Sequence, residues 1–73
     1  MAKKVYNIDE VAETLQTSHV TIRGLIKNGY LKAFKLGGRY LIRDKDIDEF
    51  LESAIGFDYT GGYPVSLEVG TNG

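Results

Sequence analysis

Apolar residues along this chain fall into three short helical stripes, with one stretch of shorter period between the second and third. Ile8, Val11, Ala12 and Leu15 stand at i, i+3, i+4 and i+7, which is one face of a helix over 8–15. Asn7 followed by Glu10 has the spacing of an N-cap with its N3 partner, and Asp9 and Glu10 fall in the first turn, where the helix dipole favours negative charge. Gln16-Thr17-Ser18 is a polar break. Ser18 is placed to cap a second helix, from His19 to Asn28. Ile22, Leu25 and Ile26 share one face of it, and His19, Val20, Arg23, Gly24 and Lys27 share the opposite face. Gly29 suits the left-handed residue just past the helix, and Leu31 then turns back onto the core.

Between Lys32 and Arg43 the period shortens. Two β-type runs, 33–36 and 39–43, flank Gly37-Gly38, a pair that accepts the positive φ of a tight hairpin turn. Asp44 reads as the cap of a third helix over 45–55, with Ile47, Phe50, Leu51 and Ala54 or Ile55 as its apolar stripe. Asp48, Glu49 and Glu52 then face solvent, and Gly56 ends the helix. Residues 57–73 hold four of the nine glycines, the only proline and no base. Val65, Leu67 and Val69 alternate with Ser66 and Glu68, a hint of one weak strand in a segment otherwise expected to be disordered. The expected organisation is a domain over 1–56 followed by a flexible, acidic, glycine-rich tail over 57–73. The expected fold is mainly α with a small β-hairpin: three short helices, with a two-stranded wing between the second and third.

Composition narrows the chemistry. At 73 residues the chain is expected to form one small domain, near the lower limit at which a core holds without staples. With no cysteine and a single histidine, His19, neither a disulfide framework nor a thiolate or multi-histidine metal site is expected. No cofactor and no small-molecule ligand are expected. No apolar run approaches the roughly 20 residues needed to cross a bilayer. The start, MAKKVYNIDE, has no apolar signal core, so a cytoplasmic location is expected and a membrane partner is not.

Charge changes the picture most. The formal net charge is −1, which by itself argues against a polyanionic partner. Yet all nine bases lie in 1–45 with four acids (Asp9, Glu10, Glu13, Asp44), a net +5, while 46–73 carries six acids and no base, a net −6. From Thr14 to Arg43 there are six bases and no carboxylate. Local sign, not net charge, decides what a face can approach.

Two short helices joined by a three-residue break, the second cationic on its outward face, describe a helix-turn-helix. Such a second helix buries one face against the first and offers the other to the major groove. His19, Val20 and Arg23, near its N-terminal end, are the candidates for base contacts: Arg23 for a guanine edge, Val20 for a thymine methyl, His19 for a base or phosphate. Lys27 is a candidate phosphate contact. Ser18 and Thr21 are candidates for backbone contact, with capping and packing as equally plain roles. On the wing, Lys35, Gly38, Arg39 and Tyr40 are candidates for an adjacent minor groove or its phosphates. Gly24, which weakens a helix by about 1 kcal/mol relative to alanine, has either a close-approach role in the groove or none. No catalytic constellation is legible: Gly37-Gly38 lacks the strand–helix context of a phosphate loop, and His19 has no triad partners, so an enzyme is not expected.

The string Tyr6-Asn7-Ile8-Asp9-Glu10-Val11-Ala12, then Ser18-x-x-Thr21-Ile22, Leu25-Ile26-x-x-Gly29-x-Leu31-x-Ala33, Lys35-x-Gly37-x-Arg39 and Ile42-x-x-x-Asp46-Ile47-x-x-Phe50-Leu51 resembles the excisionase-type winged helix-turn-helix. This is the small-domain branch of the MerR-like DNA-binding superfamily. The resemblance implies double-stranded DNA as partner, the second helix in the major groove and the wing in the minor groove. It further implies binding to direct repeats, often with bending, and a role as a recombination directionality factor of a phage or mobile element, assisting an integrase. Two positions depart from the pattern. Gln16-Thr17 stands where the family often has glycine and an apolar residue, and Gly24 where it often has a basic or polar one. The competing expectations are a small transcriptional regulator or repressor, the DNA-binding part of a phage packaging protein, and a protein-interaction module without DNA. Phe57, Tyr59, Tyr63 and Leu67 are expected to dock on a partner, an integrase or a neighbouring copy on DNA.

Overall fold

The structure, a computed structural model, describes residues 3–67. Its elements run β1 (Val5–Asn7), α1 (Ile8–Thr14), α2 (His19–Lys27), β2 (Phe34–Leu36), β3 (Arg39–Arg43), α3 (Asp44–Ser53), β4 (Phe57–Thr60) and β5 (Tyr63–Ser66). This is a winged helix-turn-helix. The three helices and the wing lie within a residue or two of their expected bounds.

Strand passes directly into helix at Asn7. Its side-chain oxygen accepts from the Glu10 amide at 2.8 Å, and the Glu10 carboxylate accepts from the Asn7 amide at 2.9 Å. That closed capping box satisfies two amides that a helix start leaves without partners. Ser18 caps α2 with a single such bond, accepting from the Thr21 amide at 3.2 Å. Between the helices Gln16 sits at φ 60, the left-handed region. This is the conformation that glycine supplies at no steric cost and that glutamine holds under local strain.

Val11, Ile22, Leu31 and Ile42 are fully enclosed, with Ile8, Ala12, Leu25, Ile47 and Phe50 around them. Each of these side chains except that of Ala12 contributes roughly 1.5–3 kcal/mol by leaving water. Ile42 ties the sheet to this core, because β3 is the middle strand of an antiparallel sheet ordered β1-β3-β2. Tyr6 opposes Ile42 on one side, and Lys35 opposes Tyr40 on the other. β1 was not expected: it has three residues, and its partner lies nearly forty positions away.

Two expectations about α3 are corrected. Asp44 is its first residue rather than its cap; the cap position is Arg43, which makes no side-chain cap bond. The apolar stripe is Ile47, Phe50 and Ala54, while Leu51 and Ile55 are exposed. The acid that matters locally is Asp46. Arg43 grips its carboxylate with Nε at 2.7 Å and Nη2 at 2.8 Å, and Asp46 is almost wholly covered. These bonds hold the Asp46 carboxyl below its ordinary pKa, against the opposing effect of burial, with smaller help from the charges of Lys32 and Lys45. Glu10 is also lowered, first by its bond from Lys3 and then by the Asn7 amide.

A carboxyl whose folded pKa lies below its unfolded value stabilises the fold fully above the unfolded value, about pH 4, and that contribution is lost as pH falls through the folded one. Stability is therefore expected to fall on acidification below about pH 4. Asp46→Asn is expected to flatten that decline and to cost about 1–2 kcal/mol at neutral pH, as urea unfolding across pH will show.

The larger correction concerns the expected tail. Residues 57–66 form an antiparallel hairpin in which Phe57 opposes Ser66 and Thr60 opposes Tyr63. The Leu67 amide donates to the Gly56 carbonyl at 3.0 Å and closes its base. Tyr59 does not wait for a partner. Its ring packs 5.1 Å from that of Phe50 and 5.5 Å from that of Tyr30, in tilted and edge-on geometries that favour aromatic pairs. Val69, counted in the expected weak strand, lies outside the described residues, as does the rest of 68–73. Among the described residues no helix is long and apolar enough to cross a membrane.

Candidate nucleic-acid interface

Helix α2 is amphipathic along the division read from the sequence. Ile22 and Leu25 are buried, while His19, Val20, Arg23 and Lys27 are exposed. A helix needs only one buried stripe to dock, so the outward side chains are free of packing duty. The wing is positioned independently of α2, through β3. Gly37 and Gly38 stand at φ 64 and φ 83 and close a two-residue turn that folds β2 back onto β3.

These two elements face each other across a cleft of about 330 Å³. His19 and Arg23 line it from α2, and Lys35, Gly38, Arg39 and Tyr40 from the wing. Six of the ten residues singled out from the sequence thus border one hollow. Lys35 lies over the Tyr40 ring, its ammonium 4.8 Å from the centroid, so the aromatic face holds the cation beside the cleft while leaving it exposed. Tyr40 itself is half-buried against the core.

The remaining four are placed differently. Val20, 66% exposed, and Lys27 project from α2 outside the hollow. Ser18 and Thr21 are engaged with each other: the two hydroxyl oxygens are 3.1 Å apart, in addition to the cap bond. Their primary role in this structure is to start α2.

Three lining residues were not singled out: Asn7, Ile8 and Asp9, from the start of α1. Their sequence signals were for capping and core, which gave no hint of the cleft. Asp9 puts one exposed carboxylate among the cations of the hollow. A carboxylate repels phosphate, so Asp9 offsets part of the positive charge of the hollow.

Gly24 lies against another part of the fold. A Cβ built there would lie 3.7 Å from the Gly62 Cα at the turn of the β4–β5 hairpin, and Asn28 donates its side-chain amide to the Gly62 carbonyl at 3.0 Å. The 3.7 Å contact is an ordinary one; it is Gly62, where a Cβ would stand 3.3 Å from the Gly24 carbonyl carbon, whose small size lets this second hairpin approach the helix backbone. The groove-facing reading of Gly24 therefore gives way to a contact within the fold.

Residues 5–54 match the helix-turn-helix domain family, and the chain belongs to it. This is a DNA-binding family found in excisionase-like proteins, and DNA is the partner it supports. No curated protein and no solved structure matches the chain. The family match ends before β4, so the second hairpin lies beyond it.

Proposed function

We propose that this protein binds specific duplex DNA sites as an excisionase, a recombination directionality factor that bends attachment-site DNA to assist an integrase. It works by binding and not by catalysis. The observation that carries the DNA-binding part is the cleft, where Arg23 of the outward face of α2 stands across from Lys35 and Arg39 of the wing. In this reading α2 lies in the major groove, Arg23 and Val20 read base edges, and Lys27 meets phosphate. Lys35 and Arg39 reach the neighbouring minor groove, whose potential is most negative where it is narrow. The excisionase part is supported by the motif string from Tyr6 to Leu51, shared in order and spacing with excisionase-type domains.

Binding is expected to weaken steeply with salt. If Lys27, Lys35 and Arg39 each neutralise one phosphate, log K should fall against log salt with a slope of about −3. Absence of binding to any duplex at low salt would overturn the DNA reading. Sites selected from a random duplex pool separate the two roles within DNA binding: direct repeats that bend on binding fit an excisionase, whereas a single unbent inverted repeat fits a repressor.

A further inference from the structure

The exposed face of α2 has a β-turn on each side. Toward its N-terminal end, His19 and Arg23 look across the cleft at Gly38 and Arg39 of the wing. Along its C-terminal half, the β4–β5 turn rests against Gly24 and is held by Asn28. Successive residues on a helix are rotated by about 100°. His19 and Arg23 therefore lie to one side of the Val20–Lys27 line, and Gly24 and Asn28 to the other. Val20 and Lys27 emerge between the two turns.

We propose that the β4–β5 turn is a second wing. With α2 in the major groove, Thr60, Gly61 and Tyr63 meet the phosphate backbone on the groove edge opposite the one met by the β2–β3 wing. The inference rests on the DNA-binding reading. The groove is about 12 Å wide, and a helix with its side chains is about 10–12 Å across. An element beside the helix therefore rides on the groove's edge, where phosphates are. Thr60 and Gly61 are exposed, and Tyr63 is 58% exposed.

The chemistry suits that place. Hydroxyls and backbone amides are regular phosphate donors. Gly61 and Gly62, at φ 66 and φ 83, occupy the centre of a two-residue turn, whose central amides stand outside the strand ladder. Gly62 is covered by α2, whereas Gly61 is exposed. Asp58 is the one charged residue on β4 and β5. It lies two positions back from Thr60, about 7 Å along the strand, so contact is confined to the tip. Because the contact is uncharged, it fixes the register of α2 without adding to the salt slope.

The test exploits the absence of cysteine from the chain. Thr60→Cys, Leu36→Cys on the first wing and Glu52→Cys on the acidic face of α3 each carry one aryl-azide photo-crosslinker on the full chain. The probe is a labelled mixed-sequence duplex of about 30 base pairs, roughly three helical turns. Positions 60 and 36 are expected to crosslink to DNA, and position 52 is not. Thr60→Asp is expected to weaken binding about tenfold at low salt, with the loss shrinking as salt screens the added charge. Crosslinking at 60 no greater than at 52, or Thr60→Asp binding as tightly as the parent, overturns the second wing while leaving DNA binding in place. Failure of position 36 as well, with no mobility shift by the parent chain, overturns the DNA-binding reading and the second wing together.

Discussion

Reversing Arg23 and Arg39 together to glutamate is expected to lower affinity for duplex DNA by on the order of a thousandfold, with the fold intact. Both side chains are exposed, and they line the same cleft from its two walls. Removing one base-contacting arginine costs about 1–3 kcal/mol. Reversal adds repulsion from the phosphate it formerly approached. The variant lowers net charge by four, so the control must do the same elsewhere. Lys4→Glu with Lys45→Glu serves: these lysines line a separate hollow with Val5, Arg43 and Asp44, at the end of β3 away from the wing turn. If local placement governs binding, the control pair loses little beyond a general electrostatic decline. Equal losses in the two pairs would show that only total charge matters. Titration by fluorescence anisotropy, with circular dichroism to verify folding, reads both outcomes.

Gly62→Val is expected to cost about 2–4 kcal/mol, a large share of the roughly 5 kcal/mol that small domains possess. Two effects combine. At φ 83 a β-branched residue is strained, and its Cβ would stand 2.8 Å from the Asn28 amide nitrogen and 3.3 Å from the Gly24 carbonyl carbon. One of those neighbours is helix backbone and cannot yield cheaply. The hairpin is therefore expected to lift off α2 and take Tyr59 from its place against Phe50 and Tyr30. Across the same contact, Gly24→Ala is expected to be neutral or to stabilise by up to about 1 kcal/mol, because its Cβ makes an ordinary contact and alanine favours the helix. Thermal unfolding measures both, and ring-proton shifts of Tyr59 report the hairpin. A Gly62→Val variant as stable as the parent would show that the hairpin is not packed against α2.

The helices and the wing were legible because each announces itself locally. Asn7 with Glu10, Ser18, Gly29 and Gly37-Gly38 mark starts and stops, and the apolar spacing supplies the faces. What was missed depends on distant parts of the chain. β1 is a strand only because Val5 finds Arg43 and Asn7 finds Leu41. The β4–β5 hairpin carries the same Gly-Gly signal as the wing, at Gly61-Gly62 between Thr60 and Tyr63. Its glycines, its proline, its lack of base and the absence of a helical period outweighed that signal. Pro64 is tolerated because a two-stranded ribbon leaves each strand one unpaired edge. The contact at Gly24 was invisible for the same reason, since the group that approaches it lies nearly forty residues on. For the site, residue choice along α2 and the wing was readable from charge and face. The contribution of α1 to the cleft was not, because Asn7 and Asp9 had sufficient local explanations.

β3 belongs to two structures at once. Its Arg39 end is an arm of the wing, and its Ile42 end is embedded in the core and runs without a break into α3. The wing therefore has no hinge where it joins the body. In mechanical terms it is a cantilever clamped at its root: a load applied at Gly38 travels as bending moment along β3 into Ile42 and the start of α3. A flexible loop in that place would yield to a duplex pressed against it. A clamped arm resists instead, which is the property that the proposed bending role asks of the wing.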